Sequence, residues 1–447
     1  MITGYLKMAL RVLKRSAFFT GVSLFGISFT LAGLMLITAF LQNQFGTNAP
    51  MQNADSLVYL MQLEQQEIVK QDAWRKDSTQ VNGTWTFDST LVESTSSSWM
   101  SKSAYSLEFL QKFITLDRLT SAENIAYLDA YSSYDLFKNN RRIKAETRHV
   151  DARYFEIFEF ETVEGRVLNA ADIDQAALSA VISTELAEKY FGSATGVVGQ
   201  SLLIDNTSFE VKGVVKKARI NNEFVNGDLF LPISYLDPRR DQNGHFGVFC
   251  AIIQSKGGDT QSTLDELVAI TPGIPFLDPS ETNGAQFNFM KLHAANHRQY
   301  NALDYFYSSD PEKSLRDFTV ALALLIGLFC AVPLVNLLNL NIGRIIDRSA
   351  EMGVRKAFGA HNGNILAQII IENVVLTLLG GILALVIATA LMHIINEYQW
   401  LNNLRLEINV TVFVISLLVT LVFGIASGFL PALKMAKAPI VESLKHK

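Results

Sequence analysis

Four long stretches of uncharged side chains are the feature that most limits how this chain can fold. They cover residues 17–40, 318–340, 373–395 and 410–430, and they contain one histidine, His393, near the end of the third. At 1.5 Å of rise per residue, each stretch makes a helix of about 30 Å or more, enough to cross the hydrocarbon core of a bilayer. The sequence therefore predicts four transmembrane helices.

Positive charges beside these stretches predict their orientation. Four Lys or Arg residues precede the first stretch, four lie between the second and third, and four follow the fourth, whereas Arg405 alone lies between the third and fourth. Because Lys and Arg are enriched in cytoplasmic loops, both termini and residues 344–362 are predicted to be cytoplasmic. Residues 43–316 are then predicted to form a large domain on the opposite side of the membrane.

The N-terminal residues predict an anchor with an amphipathic leader. Residues 1–16 place apolar side chains on one helical face and basic ones on the other, which predicts a cytoplasmic helix at the membrane surface. A cleaved signal peptide is the alternative for the first stretch. Its apolar run is longer than usual for a signal sequence and residues 39–42 make a poor cleavage site, so we interpret it as a retained helix.

The predicted external domain alternates between strand-like and helix-like patterns, which indicates an α+β fold in two lobes. The strand predictions cover residues 56–61, 125–128, 178–182, 201–215 and 247–254, with a hairpin turn at Asp205 and Asn206. The helix predictions cover residues 105–113, 185–190 and 263–270. The predicted fold class is a membrane protein with four transmembrane α-helices and a large two-lobed α+β domain between the first and second.

One segment of this domain breaks the alternation. Residues 64–103 are polar and rich in serine, yet they hold Trp74, Trp85 and Trp99. The Asn-Gly pair at 82–83 predicts a small hairpin, because this pair favours the tight turns that join two strands. The tryptophans have two interpretations, a surface that binds a partner or side chains that pack the insertion onto the domain. Packing is favoured, and both stay open.

Sites for chemistry are few in the sequence. The glycine-rich segment 191–201 lacks the lysine of a Walker A motif and predicts a turn. His293 and His297 have the spacing of two metal ligands on one helix, but without a neighbouring Glu or an evident third ligand a polar connector is favoured. Cys250 is the single thiol of the predicted domain, so no disulfide forms within it. We therefore predict no catalytic and no metal-binding residues.

Four residues stand out within the predicted transmembrane helices. Glu372 lies early in the third, where a carboxylate costs up to about 3 kcal/mol, and it either pairs with a basic residue or reaches the headgroups. Pro333 removes a backbone hydrogen bond in the second helix and is a candidate hinge or a static kink. Asn336 and Asn339 follow one and two turns later and are candidates for hydrogen bonds between helices.

The connection between the second and third stretches carries the most specific pattern. It reads RIIDRSAEMGVRKAFGA over residues 344–360, and Gln368 and Glu372 follow it. Its charged and apolar residues recur at helical spacing, which predicts a short structured helix facing the cytoplasm. Residues 344–362 are called the coupling segment below.

This pattern resembles the permeases of the MacB and FtsX superfamily of ABC transporters, whose signature is R-x-x-E-[IM]-G-x-R-[KR]-A-x-G-A followed by Q and E. The matching residues are Arg348, Glu351, Met352, Gly353, Arg355, Lys356, Ala357, Gly359, Ala360, Gln368 and Glu372. Residues that resemble the family's periplasmic core are Tyr154, Phe155, Gly165, Arg166, Asp172, Ala187, Phe191, Gly192, Gly199, Gly213 and Val214. The resemblance therefore extends over nearly the whole chain.

The resemblance implies a domain organisation. Its segments are a cytoplasmic amphipathic helix (1–16), four transmembrane helices (17–42, 317–343, 363–395 and 410–431), a periplasmic MacB-like core domain (43–316), a cytoplasmic coupling helix (344–362), a short periplasmic loop (396–409) and a cytoplasmic tail (432–447). Within the core domain, a porter-like lobe (43–130 and 245–316) is interrupted by a sabre-like lobe (131–244). The chain is then expected to be a multi-pass protein of the cell inner membrane with both termini in the cytoplasm.

The resemblance also implies a mechanism, mechanotransmission. A separate ABC ATPase subunit, which binds ATP and Mg, would push on the coupling segment as it closes, and the second transmembrane helix would move the periplasmic domain. The implied ATPase-coupling residues are Arg348, Glu351, Gly353, Arg355, Lys356 and Gly359. This chain would be a non-catalytic permease without a cofactor of its own.

The implied partners follow from that mechanism. They are the ABC ATPase and a second permease copy or paralogue in a dimer, because two ATPases need two coupling segments. A periplasmic adaptor with an outer-membrane channel, or a lipoprotein acceptor, would receive the cargo; membrane lipid surrounds the helices and no nucleic acid is expected. The predicted function is efflux or extraction of drugs, peptides or lipoproteins, and the alternative is an FtsX-like activator of a periplasmic cell-wall hydrolase.

Overall fold

The structure of the chain is a computed structural model. It describes residues 17–46, 48–81, 84–130, 132–220, 222–236, 244–282, 284–306, 310–347, 354, 358, 362–398 and 405–437. The chain divides into a helical unit within residues 1–44 and 316–447, and an α+β unit of residues 45–315. The predicted amphipathic helix at residues 1–16 lies outside the described residues.

The described α-helices are α1 (Ala17–Phe45), α2 (Leu107–Phe113), α3 (Tyr154–Ile157), α4 (Ala170–Asp174), α5 (Thr184–Phe191), α6 (Thr260–Ile270), α7 (His297–Phe306), α8 (Pro311–Asp347), α9 (Asn362–Glu397) and α10 (Val410–Lys437). Within the described part of the chain, two helices are long and apolar enough to cross a membrane, Thr20–Phe45 and Leu366–Glu397, and Val410–Val422 is a shorter apolar helix. The two remaining spans stay predictions.

Glycines allow close packing inside the helical unit. A Cβ added to Gly33 of α1 would lie 2.5 Å from a ring carbon of Phe329 in α8, and one added to Gly380 of α9 would lie 2.5 Å from Ile27 of α1. Ser28 of α1 donates from Oγ to the carbonyl oxygen of Gly380 at 3.1 Å. Small residues and side-chain hydrogen bonds at such contacts are typical of helices that pack in a membrane.

The described strands are β1 (Leu57–Val81), β2 (Thr84–Tyr105), β3 (Ala122–Asp129), β4 (Ser132–Lys138), β5 (Arg141–Val150), β6 (Thr162–Gly165), β7 (Ser179–Ser183), β8 (Ser201–Ile204), β9 (Thr207–Val215), β10 (Leu229–Pro232), β11 (Phe246–Gly247), β12 (Phe249–Ser255) and β13 (Phe289–Asn296). They form one 13-stranded sheet with the path β11-β2-β1-β12-β3-β5-β10-β7-β9-β6, and β13, β4 and β8 branch from β1, β5 and β9. Every described strand thus belongs to one hydrogen-bonded network, and the predicted lobe boundaries stay predictions.

The hairpin of β1 and β2 departs most from the sequence prediction. β1 pairs with β12 and β13 within residues 57–66, and beyond them the ladder joins it to β2 alone, as far as the pair Val81 and Thr84. The prediction of a small hairpin is therefore wrong in size, because both strands continue through the whole serine-rich insertion. A strand is normally recognised by the alternation of apolar and polar residues. The many serine and threonine residues of this insertion do not show that contrast.

Residues 69–96 of this hairpin are called the ribbon. The predicted Asn-Gly turn at 82–83 lies outside the described residues, between the closing pair Val81 and Thr84. The side chains of Trp74, Trp85 and Trp99 also lie outside the described part, so partner binding and packing both stay open for them.

Elsewhere the predicted turns are confirmed. β8 and β9 form the expected hairpin, and Asp205 and Asn206 between them have φ of 44° and 67°, as a type I′ turn requires at both central residues. In the glycine-rich segment 191–201, the N–H of Gly196, at φ 75°, donates to the carboxylate of Glu164 at 2.8 Å. This segment is a turn held by an acidic side chain, which does not suit it to bind phosphate.

Helix ends also follow local chemistry. The helix predicted at residues 105–113 begins later, at Leu107, because Tyr105 is still the last residue of β2. Ser106 separates the two elements, and its hydroxyl accepts a hydrogen bond from the N–H of Phe109 at 3.0 Å. Serine is a preferred N-cap because it satisfies a free N–H of the first turn, so it fixes where α2 starts.

Three apolar cores lie within the described α+β unit. The first includes Tyr59, Tyr154, Phe158, Phe224 and Tyr300. The second includes Leu60, Tyr105, Phe109 and Ile253. The third includes Leu136, Ile182, Phe209, Val211 and Leu229, which strands β4, β5 and β7 to β10 enclose. These six strands with their core are called the β4–β10 module below.

Candidate functional site

The predicted ATPase-coupling residues Arg348, Glu351, Gly353, Arg355, Lys356 and Gly359 lie outside the described residues. Within the coupling segment, residues 344–347 are the end of α8 and Asn362 begins α9, and Val354 and Phe358 are described between them. The N–H of Phe358 donates to the carbonyl oxygen of Val354 at 3.1 Å, which is the hydrogen bond of one helical turn. The Phe358 side chain is 89% exposed, so the segment presents a large apolar group that the charge pattern did not single out.

Of the polar residues predicted inside the membrane, Glu372 is the one with a described side chain. It is 5% exposed, and its Oε1 accepts a hydrogen bond from Nε2 of Gln368, one turn earlier in α9, at 2.9 Å. This burial favours a side chain held within the helical unit over one that reaches the headgroups. The side chains of Asn336 and Asn339 lie outside the described part, and α8 continues as a helix through Pro333, whose role as a hinge stays a prediction.

His293 and His297 do not share a helix, which removes the geometry that a paired metal site needs. His293 lies in β13, and its Nε2 is 2.5 Å from a carboxylate oxygen of Glu64 in β1. His297 is the first residue of α7. Within the described residues, no group of three or more His, Cys, Asp or Glu side chains is placed to hold a metal ion.

His297 belongs instead to a buried polar cluster centred on the hydroxyl of Tyr59, which we call the Tyr59 cluster. Its Nδ1 lies 3.1 Å from that hydroxyl, and its Nε2 lies 3.1 Å from Nδ2 of Asn301 in the next turn of α7. Asn222 donates from Nδ2 to the same hydroxyl at 3.3 Å. All four side chains are at most 2% exposed, so each hydrogen bond is shielded from water and costly to lose.

Aromatic rings surround this hydroxyl. The ring of Tyr59 stacks on Phe224 with centroids 5.1 Å apart and lies 4.8 Å from the ring of Tyr300. Tyr300 of α7 in turn donates from its hydroxyl to Glu223 Oε1 at 2.8 Å. Residues 222–224 of the loop between β9 and β10 are therefore attached to α7 by polar and aromatic contacts.

A second buried histidine lies between neighbouring strands. His149 Nδ1 is 2.9 Å from Oδ2 of Asp129, and the hydroxyl of Ser132 donates to that same carboxylate oxygen at 2.5 Å. Tyr134 places its hydroxyl 3.4 Å from His149 Nε2. A catalytic serine would face the histidine and a cleft, whereas Ser132 faces the carboxylate and is buried, so this arrangement braces the sheet and is not built for nucleophilic catalysis.

Burial sets the protonation of these groups. It lowers the pKa of His297 to about 4, so the imidazole is neutral near pH 7. Burial alone would raise the pKa of Asp129, but the hydrogen bonds and charge of His149 outweigh it and hold that pKa below its usual value. Burial raises the pKa of Asp151, whose carboxylate accepts a hydrogen bond from the N–H of Tyr154 at the start of α3, to about 6. The Tyr59 cluster is thus neutral, and the Asp129 carboxylate is charged.

Local sequence patterns carry no signal for most of the Tyr59 cluster. His297 stands out in the sequence only through its spacing from His293, and Tyr59 only as part of an apolar strand pattern. Asn222 and Asn301 are ordinary polar residues in a loop and a helix. Tyr59 lies 163 residues from Asn222 and 238 residues from His297 along the chain, so no local pattern predicts that these three side chains meet.

Comparisons with known families place the chain. Residues 20–270 match the family model for the MacB-like periplasmic core domain. Residues 321–440 match the model for the FtsX-like permease C-terminal domain. The two matches occur in the order that the sequence resemblance implied. Together they include most of the α+β unit, most of α8 and the coupling segment, and residues 271–320 lie outside both.

Curated relatives agree with the family models. The pyoverdine export ATP-binding/permease protein PvdT of Pseudomonas savastanoi pv. phaseolicola is 26% identical over 294 residues, which cover 66% of this chain and 42% of that protein. The macrolide export ATP-binding/permease protein MacB of Neisseria gonorrhoeae is 24% identical over 311 residues, which cover 68% of this chain and 44% of that protein. The chain thus spans less than half the length of these relatives.

Among solved structures, a domain of a putative permease from Porphyromonas gingivalis is 17% identical, with a TM-score of 0.35, over 54% of this chain and 90% of that one. The periplasmic region of MacB from Actinobacillus actinomycetemcomitans is 17% identical, with a TM-score of 0.31, over 44% of this chain and 82% of that one. These values are too low to support an argument, and the family assignment rests on the sequence matches. Because the core-domain match alone covers more than half of the 447 residues, the chain belongs to the MacB/FtsX family of ABC transporter permeases.

Proposed function

We propose that this chain is the permease subunit of an ABC transporter that works by mechanotransmission. An ABC ATPase on a separate subunit, with ATP and Mg, drives the coupling segment, and α8 carries the displacement to the α+β unit on the periplasmic side. Four transmembrane helices with both termini in the cytoplasm complete the proposal. The observation that carries it is the ordered pair of family matches, a MacB-like core at residues 20–270 and an FtsX-like permease domain at 321–440.

The coupling segment supports contact with an ATPase. Phe358 is 89% exposed at the end of a helical turn and offers an apolar side chain for contact with a partner. Arg355 and Lys356 lie next to it in sequence and supply charge for recognition. We infer that Phe358 provides the apolar contact and that Glu351, Arg355 and Lys356 provide the polar contacts around it.

The proposed cargo is a drug, peptide or lipoprotein that is exported or extracted from the periplasmic side of the inner membrane. Relatives named for export of pyoverdine and of macrolides support an export role. A dimer of permeases follows from the need for two coupling segments, and an adaptor with an outer-membrane channel, or a lipoprotein acceptor, is the proposed periplasmic partner. The MacB-like match of the external domain favours transport over activation of a cell-wall hydrolase.

The test is affinity purification of the tagged full-length chain from native membranes in mild detergent, followed by mass spectrometry and an ATPase assay. We expect an ABC ATPase to co-purify with the unsubstituted chain. An Arg355→Glu, Lys356→Glu variant should lose it, because two charge reversals repel the surface that the two basic residues match. Phe358→Ala should weaken recovery at least tenfold, since a central apolar anchor contributes about 2 kcal/mol or more to a contact.

A matched control reverses two charges elsewhere. Arg141→Glu, Lys144→Glu changes two exposed basic residues of β5 in the α+β unit and should leave ATPase recovery unchanged. The proposal is wrong if no ATPase is recovered with any form of the protein while its other partners remain bound. Loss of the ATPase in the control as well as in the coupling-segment variant would also contradict it, because the effect would then not be local.

A further inference from the structure

We propose that the Tyr59 cluster is the joint that makes α7 and the β4–β10 module move together when the α+β unit is driven. Tyr59, Asn222, His297 and Asn301 are then positioning residues for that motion. This inference rests on the proposed function, because it assumes that ATP hydrolysis displaces the α+β unit. It adds to that function the buried residues that link α7 to the β4–β10 module.

The first observation is where the chain enters and leaves the α+β unit. It enters after α1 and reaches Tyr59 as the third residue of β1, and it leaves through α7, of which His297 is the first residue. α8 follows α7 after residues 307–310. Both covalent connections of the α+β unit therefore lead to one hydrogen bond, between the Tyr59 hydroxyl and His297 Nδ1 at 3.1 Å.

The second observation is the attachment of a third, distant segment. Asn222, in the loop between β9 and β10, donates to the same hydroxyl at 3.3 Å, and its own Oδ1 accepts from the N–H of Phe224 at 2.9 Å, which fixes the loop. The hydroxyl of Tyr154 donates to the carbonyl oxygen of Phe224 at 2.9 Å. Because β9 and β10 belong to the β4–β10 module, a displacement of α7 acts on that module through this loop.

The third observation is that the joint is made of neutral groups away from water. All four side chains are at most 2% exposed, and the pKa of His297 is lowered by burial, so the imidazole offers one donor and one acceptor. Directional hydrogen bonds in a dry site resist shear, since a shifted partner leaves a buried polar group unsatisfied. Aromatic packing of Tyr59 on Phe224 and Tyr300 adds resistance in the same place.

The test uses the full-length chain in nanodiscs with its co-purified ATPase, and with Cys250 and Cys330 replaced by alanine. Spin labels at Tyr305 of α7 and Ser208 of β9 report the distance between α7 and the module by double electron–electron resonance. We expect this distance to be the same without nucleotide and with ATP and vanadate. In Tyr59→Phe, which keeps the ring and removes the hydroxyl, we expect a nucleotide-dependent shift. Tyr134→Phe is the matched control, because it removes a half-buried hydroxyl that lies beside His149 and not beside α7, and it should behave like the unsubstituted chain.

Two outcomes overturn the inference. In the first, the distance between Tyr305 and Ser208 already changes with nucleotide in the unsubstituted chain. In the second, this distance does not shift in Tyr59→Phe although the module moves with nucleotide. That movement is measured separately, with one Ser208 label on each of two permease copies. If this second distance does not respond to nucleotide in the unsubstituted chain, the proposed mechanotransmission fails.

Hydrogen–deuterium exchange tests the joint itself without nucleotide. In Tyr59→Phe we expect faster exchange in two segments at once, residues 222–226 and α7, because one hydroxyl holds both. His297→Gln removes the other partner of the hydrogen bond and should also speed exchange in both segments. Faster exchange in only one of the two segments would overturn the joint, whatever the ATPase does.

Discussion

Two buried histidines of the same α+β unit are held in opposite ways. His149 lies 2.9 Å from the carboxylate of Asp129, and its partners come from the neighbouring strands β3 and β4. His297 bonds neutral groups, and the Tyr59 cluster draws on β1, α7 and the loop before β10. A charged local network thus braces strands that already pair, whereas a neutral long-range network joins a strand, a helix and a loop that share no common ladder.

The largest expected effect comes from removing the charged partner. Asp129→Ala leaves His149 buried without its carboxylate, and breaking a buried pair in this way costs about 3–5 kcal/mol. His297→Ala leaves the neutral Tyr59 hydroxyl and Asn301 amide short of a partner, at about 2–3 kcal/mol. Hydrogen–deuterium exchange of the full-length chain gives both local opening free energies, from peptides of β5 and of α7.

The location of the loss decides whether the comparison is right. Asp129→Ala should loosen β3 to β5 and leave α7 protected, while His297→Ala should loosen α7 and residues 222–226. Asp129→Asn is the control, because it keeps a hydrogen-bonding oxygen and should cost less than Asp129→Ala. If Asp129→Ala loosens α7 as much as β5, the two clusters are one network and the contrast between them is wrong.

A smaller effect is expected from pH, with different windows for the two clusters. The pKa of His297 is depressed to about 4 from an unfolded value of 6.5, so its contribution is present above pH 6.5 and is lost as the pH falls towards 4. At pH 5 the loss is about 2 kcal/mol. The pKa of Asp129 is also depressed, so its contribution is complete above the unfolded value of 3.8 and is lost only below it. Hydrogen–deuterium exchange should therefore show weaker protection of α7 at pH 5 than at pH 7, and unchanged protection of β5.

The control for this prediction is His297→Gln, which has no titrating group. Asp151 has a pKa raised to about 6, so its effect has the opposite sign: it weakens the fold as the pH rises from 3.8 to 6. Since Asp151 is present in both proteins, its contribution cancels in the difference between the unsubstituted chain and His297→Gln. An equal loss of α7 protection at pH 5 in both proteins would show that His297 is not the cause.

The smallest effect is expected from shortening the ribbon, which contributes to neither cluster. Deleting residues 70–81 and 84–95 joins Val69 to Asn82 and Gly83 to Ser96. The Asn-Gly turn is then closed by the pair Val69 and Ser96, which face each other in the ladder as Val81 and Thr84 do. We expect the local opening free energies of β5 and α7 to change by less than about 0.5 kcal/mol. Changes at distant sites that share no partners usually have independent effects on stability. A larger change in either cluster would mean that the ribbon packs on the core, the interpretation that its tryptophans left open.

Much of the fold was visible in local patterns. The uncharged stretches coincide with α1, α8, α9 and α10, and the turn at Asp205 and Asn206 was predictable because few residues tolerate positive φ. The family was predictable from the coupling segment, and the matches over residues 20–270 and 321–440 confirm it. The length of the β1–β2 hairpin was not predictable, because its serine-rich strands lack the contrast that marks one buried face.

What the sequence determined by itself is therefore the class of protein: apolar stretches long enough to cross a bilayer, the family signature in the coupling segment, and an α+β insertion between the first two stretches. Only the tertiary structure decided which polar residues meet inside that insertion. Tyr59 and Asn222 are 163 residues apart, and Tyr59 and His297 are 238 apart. Periodicity reports whether a residue is buried or extended with its near neighbours, whereas the partner of a buried hydroxyl depends on the path of the whole chain, and no local pattern carries that information.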